Sequence, residues 1–260
     1  MFETLLQPQK PQLIPFLMAG YPSLEATEIL ASELIEQGVQ ILELGVPFSD
    51  PMADGPVIQM AAEKSLAAGT TLRGVLGLCR KIQGKYPSVK IVIFSYLNPL
   101  LAYGLANYTK DAQEAGAAAT LTVDLPPEEA TEYLHLHLQQ GLKTVFLASP
   151  TTSTSRLSLI NQCSSAFVYY VSRAGVTGEQ ANLSVSLEAE VRSLRKAVSK
   201  PVAVGFGISD PQQAQVVSRF SDAVVIGSAL IRLTSESTSV KEAQLRLREF
   251  TRSCLAAMST

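Results

Sequence analysis

The sequence predicts an α/β chain closed into a single (β/α)8, or TIM, barrel, with residues 1–260 forming one domain. Three observations lead there. Eight short apolar runs alternate with helical patterns along the whole length. No linker, repeat or low-complexity stretch interrupts them. Glycine and polar residues gather just after many of the runs, where barrel enzymes keep their active sites. An open doubly wound sheet would also use this alternation, but no Gly-x-Gly-x-x-Gly turn follows the first run.

In order, strand Leu13–Met18 ends in Ala-Gly-Tyr-Pro-Ser, and helix Leu24–Gln37 carries Leu24, Ile29, Leu30, Leu34 and Ile35 at helical spacing before Gly38 stops it. Strand Val39–Val46 leads into helices Val57–Ala68 and Leu72–Gly84, with Gly69-Thr-Thr between them. Strand Val89–Tyr96 is followed by a short helix, Asn107–Ala115, and by strand Ala117–Asp124, which ends in an acid. Helix Pro127–Gln140 has a proline and glutamates in its first turn, which suit the positive end of the helix dipole. Strand Thr144–Ala148, helix Ser155–Gln162 and strand Ala166–Ser172 come next, then the loop Arg173–Leu183 and helix Leu187–Val198. Strand Pro201–Gly205, helix Pro211–Arg219, strand Ala223–Ile226 and the amphipathic helix Lys241–Met258 complete the chain.

The second strand and its loop hold the most chemistry. Val39, Ile41, Leu42, Leu44 and Val46 make a run suited to a strand buried on both faces, and Glu43 interrupts it with a carboxylate. A buried carboxylate is either paired or held at a raised pKa, poised for proton transfer. The loop after it adds Asp50 and Asp54. One carboxylate on a rigid strand and two on the loop it feeds would make an acid/base site; equally, the aspartates could form turns and Glu43 could be satisfied by backbone donors.

Composition narrows the partners. With 21 basic and 23 acidic residues and no long Lys/Arg cluster, nothing marks a nucleic-acid footprint. Cys79, Cys163 and Cys254 lie far apart without metal-ligand spacing, as isolated thiols of a reducing compartment would, so a cytoplasmic location is expected. Glu3 and Pro8 stand where a secretory leader would need basic and apolar residues, and no apolar run approaches the roughly 18 residues of a membrane span.

Late in the chain, Gly205-Phe206-Gly207 follows the seventh strand and Gly227-Ser228 the eighth, the two loops that commonly bind phosphate in barrels. Tight turns alone would explain the same glycines. No lysine ends a predicted strand, since Lys90 and Lys143 fall at strand beginnings, so a Schiff-base aldolase lacks its nucleophile. His135 and His137 point to different faces of one helix without a ligand cluster, and no metal site is expected. Carboxylates, Tyr169 at the end of strand six and a phosphate handle remain. They suit proton transfer on a phosphorylated substrate whose own ring can hold electrons.

The run Leu42–Gly55, Leu-Glu-Leu-Gly-Val-Pro-Phe-Ser-Asp-Pro-Met-Ala-Asp-Gly, resembles the signature of the tryptophan synthase alpha subunit. The resemblance continues in Tyr169–Gly178 (Tyr-Tyr-Val-Ser-Arg-Ala-Gly-Val-Thr-Gly), in Gly205-Phe-Gly-Ile-Ser and in Ile226-Gly-Ser-Ala, and so covers essentially the whole chain. It departs mildly at Ala174, where some relatives have serine, and at Met52, where leucine is common.

This resemblance implies retro-aldol cleavage of indole-3-glycerol phosphate to indole and glyceraldehyde 3-phosphate. It implies Glu43 as general acid/base, Asp54 as the group that binds the indole N–H and stabilises the cationic ring, and Tyr169 in support, though a tyrosine there could equally be barrel packing. Gly178 joins Gly207, Gly227 and Ser228 as the phosphate cradle. Phe16, Ile58, Phe94, Tyr96, Leu121 and Phe206 would wall the indole pocket, although apolar residues in a barrel are usually core. Arg173–Leu183 would be a lid, with Arg173 in it and Thr177 meeting Asp54 on closure. Phe48, Asp50 and Pro51, with Ser49 and Met52, would face a beta subunit in an alpha2beta2 complex, with pyridoxal phosphate only on that partner and no cofactor on this chain. Asp124 is expected to orient nearby loops. The competing readings are another phosphosugar enzyme of the same architecture and a catalytically weak regulatory subunit.

Overall fold

A strand covered on both faces needs apolar residues at every position, and β1 (Gln12–Met18) and β2 (Ile41–Gly45) are buried at every residue. In the computed structural model, which describes residues 2–7, 10–171, 180–205 and 207–259, they are followed by β3 (Lys90–Ser95), β4 (Ala117–Thr122), β5 (Lys143–Ala148), β6 (Phe167–Val171), β7 (Val202–Gly205) and β8 (Ala223–Ile226). All pair in parallel in sequence order, and β8 returns to β1 to close the barrel. Alternate residues point inward: Ile14, Ile41, Val92, Ala119, Val145, Phe167, Ala203 and Ala223 fill the interior with Tyr169 above them. A short helix, α1 (Phe2–Leu5), closes the N-terminal end, its Phe2 ring set edge-on to Phe167 at 5.7 Å.

The outer layer is α2 (Leu24–Glu36), α3 (Pro56–Ala67), α4 (Leu72–Lys85), α5 (Leu97–Tyr103), α6 (Leu105–Glu114), α7 (Thr131–Gln140), α8 (Thr154–Cys163), α9 (Gln180–Ala197), α10 (Pro211–Ser218), α11 (Ser228–Ser235) and α12 (Val240–Met258). Side-chain caps start several of them: Ser23, Thr71, Ser153, Asp210 and Ser239 each accept a first-turn N–H.

Five segments differ from the sequence expectation, the first being helix α1, which precedes the first expected strand. Helix α5 forms where none is expected, because Asp124 Oδ1, beyond β4, accepts the Leu97 N–H at 2.7 Å; a cap 27 residues away leaves no local signal. That bond is the orienting role expected of Asp124. Helix α11 is likewise unread, since Gly227 caps it without a side-chain bond. The expected helix Pro127–Gln140 is a 3-10 turn, Pro127–Glu129, then α7, with Ala130 at ψ 12° between them. Gln180–Leu183, expected in a loop, is already helical as the start of α9.

One polar clasp fixes the last helix to the first long one. Glu33 of α2 is fully buried and accepts from Arg248 Nε at 2.6 Å, Arg248 Nη2 at 2.8 Å, Gln244 Nε2 at 2.7 Å and Gln37 Nε2 at 2.6 Å. These donors, Arg248 foremost, hold the Glu33 carboxyl below its ordinary pKa. A lowered folded-state pKa contributes stability above the ordinary glutamate range that is lost as pH falls through the lowered value. Arg248→Ala, which strands a buried carboxylate, is expected to drop the thermal midpoint by several degrees at pH 7 and to weaken that acid-side dependence. Melting curves at pH 7 and pH 4 check it; equal midpoints for the two chains at pH 7 would remove the clasp from the stability of the fold.

Candidate active site

Glu43 sits midway along β2 with its side chain inside the barrel, in register with Phe16 of β1 and Val92 of β3. Both carboxylate oxygens are buried, and neither has a hydrogen-bond partner among the described residues. Burial alone pushes its pKa up to about 8. Of the two readings open for this residue, the paired carboxylate therefore lacks a pairing group among the described residues, and the neutral acid near pH 7 is what the surroundings favour.

Asp54 lies in the loop between β2 and α3. Its Oδ2 accepts from Tyr96 Oη at 3.0 Å, and that same hydroxyl accepts from the Ala53 N–H at 3.0 Å, so one tyrosine ties side chain and backbone of the loop together. The Gln59 amide donates to the Asp54 carbonyl at 2.8 Å. Burial raises the Asp54 pKa to about 6, with the Tyr96 hydrogen bond working against the rise. Tyr96, expected as a wall of an aromatic pocket, thus spends its polar end on the aspartate. Its ring stacks obliquely on Phe48, centroids 5.2 Å apart, so the outer loop and the aspartate share one support.

Tyr169, on β6, is buried, and its phenol is kept protonated by burial and then by the negative fields of Glu43 and Asp54. It fits only because residue 205 is glycine: a Cβ there would stand 2.2 Å from the Tyr169 hydroxyl. Gly45 plays the same part on β2, where a Cβ would come within 2.4 Å of the Phe16 ring. Neither requirement is visible in the sequence, because each depends on a side chain of another strand.

The expected walls are partly assembled. Phe16 and Phe94 meet edge to face at 5.2 Å, and Ile58 packs in the same cluster, while Leu121 is fully buried in the barrel interior with Tyr169. A cavity of about 490 Å³ opens at the C-terminal ends of β3 to β6, lined by Asp54, Phe94 and Tyr169 on one side and by Asp124, Ser149 and Arg156 on the other. Arg156, which sequence reasoning missed, is held there by Glu128 at 3.0 Å. Glu43 does not line this cavity and is enclosed below it.

The glycine turns follow β7 and β8. Gly207 follows β7 with φ +81°, a left-handed conformation suited to glycine. Gly227 caps α11 with no side-chain bond, and Ser228 is the helix's first residue, so the first-turn N–H groups receive no side-chain cap there. A Cβ on Gly227 would be 3.3 Å from Phe16, which puts the turn against the strand whose Phe16 is the register partner of Glu43. The Gly227 turn, Phe16 and Glu43 are therefore contiguous.

Gly178, Arg173, Thr177 and Phe206 lie outside the described residues, as does most of the expected lid. Phe48 is half-buried against Tyr96, Asp50 is exposed and accepts from Ser49 Oγ at 2.5 Å, and Met52 is 88% exposed. The two histidines are remote from this chemistry: His135 is exposed, and His137 is buried on the Tyr133 ring at 3.8 Å, where burial pushes its pKa down to about 4. Among the described residues no group of histidine, cysteine and acidic side chains could hold a metal ion.

A family model described as "Tryptophan synthase alpha chain" matches residues 2–259. The chain is similar to the tryptophan synthase alpha chain of Geobacter sulfurreducens, at 44% identity over 92% of this chain and 90% of that protein. It is also similar to that of Solibacter usitatus, at 43% over 97% and 94%. The crystal structure of tryptophan synthase subunit alpha from Legionella pneumophila superposes with a TM-score of 0.92 at 37% identity, covering 99% of this chain and 96% of that one. A crystal structure of tryptophan synthase from M. tuberculosis gives 0.87 at 30% identity, covering 99% and 97%.

Proposed function

The chain belongs to the tryptophan synthase alpha chain family, and on that premise we propose that Glu43, Asp54 and Tyr169 are the groups with which it cleaves its substrate. The reaction is the carbon–carbon lyase step of tryptophan biosynthesis: indole-3-glycerol phosphate gives indole and glyceraldehyde 3-phosphate. The chain works with a beta subunit, to which pyridoxal phosphate belongs, and carries no cofactor itself.

One observation carries the assignment of roles. Two carboxylates at one end of the barrel have environments that push their pKa values apart, Glu43 to about 8 and Asp54 to about 6. At neutral pH Glu43 is then the acid and Asp54 the anion. Glu43 gives its proton to indole C3, and the ring nitrogen becomes positive. Asp54 stabilises that charge and accepts the ring N–H. Glu43, now a carboxylate, takes the proton of the side-chain hydroxyl as the aldehyde forms; the carbon–carbon bond breaks and its electron pair restores the aromatic ring. The proton that leaves Glu43 is thus replaced by one from the substrate. Because Glu43 is enclosed, a bound ring reaches it only after side chains above it move aside.

Gly207, Gly227 and Ser228, with Gly178, hold the phosphate in this reading; Phe16, Ile58, Phe94, Leu121 and Phe206 hold the ring, and Arg173 and Thr177 belong to a lid. Phe48, Asp50 and Pro51 face the beta subunit. Residues 1–260 form one domain. The cytoplasm is the proposed location: the three cysteines are free and buried, and among the described residues no helix is long and apolar enough to cross a membrane.

Mixing the chain with indole-3-glycerol phosphate, with and without its beta subunit, and following indole is the direct test. No indole under either condition would overturn the reading. Tyr96 is proposed as a positioning residue for Asp54, and it has a separate signature. Its hydrogen bond lowers the Asp54 pKa, so Tyr96→Phe lets that pKa rise and moves the acidic limb of kcat/KM to higher pH. A several-fold loss near pH 6 that shrinks at pH 8 is expected, whereas a loss of equal size at every pH would leave Tyr96 a packing residue.

A further inference from the structure

The opposite end of the barrel carries a second concave feature that the lyase reaction does not use. An open recess of about 450 Å³ is lined by Arg192, Arg195 and Lys196 of α9 and by Arg219, Phe220 and Ser221 between α10 and β8. It lies at the N-terminal ends of β7 and β8, since Asp222, directly below β8, accepts the N–H of Val202, the first residue of β7. Four of the six lining side chains are cations and none is an acid.

Two of the cations are fixed and two are unspent. Arg195 Nη2 is held 3.2 Å from Asp222, whose side chain is almost fully buried, and Arg195 Nη1 donates to the Phe220 carbonyl at 3.3 Å. Arg192 pairs with Glu188 one turn back, at 2.7 Å. Lys196 and Arg219 have no ion-pair partner among the described residues. Cations near helix C-termini complement the dipole, and both α9 and α10 end here. That accounts for each charge separately. It does not account for Lys196 and Arg219, neither with an ion-pair partner among the described residues, converging with the two paired arginines on one recess whose lining includes no acid, an arrangement that leaves a net positive field there for an anion to meet.

We infer that this recess binds a small, multiply charged oxyanion of the phosphate or diphosphate class, at a site separate from the one that takes the substrate's phosphate. Arg195, held by the buried Asp222 and the Phe220 carbonyl, is the fixed wall of the recess, and Lys196 and Arg219 supply the neutralising charge. The charges converge on one recess rather than run as a stripe, and the whole chain has a net charge of −2, so a compact anion suits the site better than a polyanion chain.

Titration calorimetry of the full chain with inorganic pyrophosphate, in saturating glycerol 3-phosphate to occupy the catalytic site, tests this. One equivalent of pyrophosphate should still bind, with affinity that falls as salt rises. Lys196→Gln or Arg219→Gln should each weaken binding about tenfold, with circular dichroism, thermal midpoint and indole formation unchanged because both side chains are exposed. Absence of binding, complete competition by glycerol 3-phosphate, or equal affinity in both variants would each overturn the inference.

Discussion

Glu43→Gln is expected to abolish nearly all indole formation, a loss of about 10²–10⁴-fold in kcat if the group carries the general acid/base work. The amide keeps the shape of a side chain already enclosed by the barrel, but can neither give a proton to indole C3 nor take one from the hydroxyl. Because the reacting proton is lost rather than the binding surface, KM should change little, and affinity for glycerol 3-phosphate should persist. Stability supplies an independent mark. The wild-type Glu43 pKa is raised from an ordinary 4.5 to about 8, so between those values the folded chain binds a proton that the unfolded chain has released. Wild-type stability must therefore fall as pH rises through that window, and the glutamine variant must lack this component. Melting curves from pH 4.5 to 8, read beside indole assays, separate the outcomes: turnover near the wild-type rate would remove Glu43 from the chemistry, and parallel melting curves would remove its raised pKa.

The barrel was legible because strands buried on both faces and helices with one apolar stripe write different periods into the chain, and the strands stand within a few residues of where those periods put them. What stayed hidden was set across the fold. Helix α5 needs Asp124, and Tyr169 needs the missing side chain of Gly205; neither dependence has a local pattern. Glu43 stood out as a charge in an apolar run. Asp54 did not stand out from Asp50 by pattern, since both lie on a polar loop; the Tyr96 hydroxyl, 42 residues away, and the burial of Asp54 at the cavity distinguish them in space. Tyr96 itself read as an aromatic wall because sequence carries no direction for a phenol. The recess at the far end is made by helix-end cations that look like ordinary solvated charges one at a time.

Asp54→Asn should cost about 10²–10³-fold in kcat, the scale of losing one group that stabilises transition-state charge. The geometry favours a clean experiment: the asparagine oxygen can still accept from Tyr96, and the Ala53 N–H still meets the same hydroxyl, so the loop has its anchor in both chains. In the proposed mechanism, what disappears is the negative charge that faces a ring nitrogen turning positive as C3 is protonated. Substrate affinity should fall much less than turnover, because the uncharged ground-state ring still finds an amide oxygen for its N–H. The pH profile decides between a charge and a shape role. In the wild type, activity should decline as pH drops through about 6, where Asp54 takes up a proton. The asparagine variant should be low at every pH and show no such limb. Adding the beta subunit should not restore it: at the proposed interface, pressure on Phe48 would reach Asp54 through the Tyr96 ring, and that route could reposition a carboxylate but not create one. A variant that binds substrate and turns over normally, or that keeps the acidic limb, would move the electrostatic role to another residue.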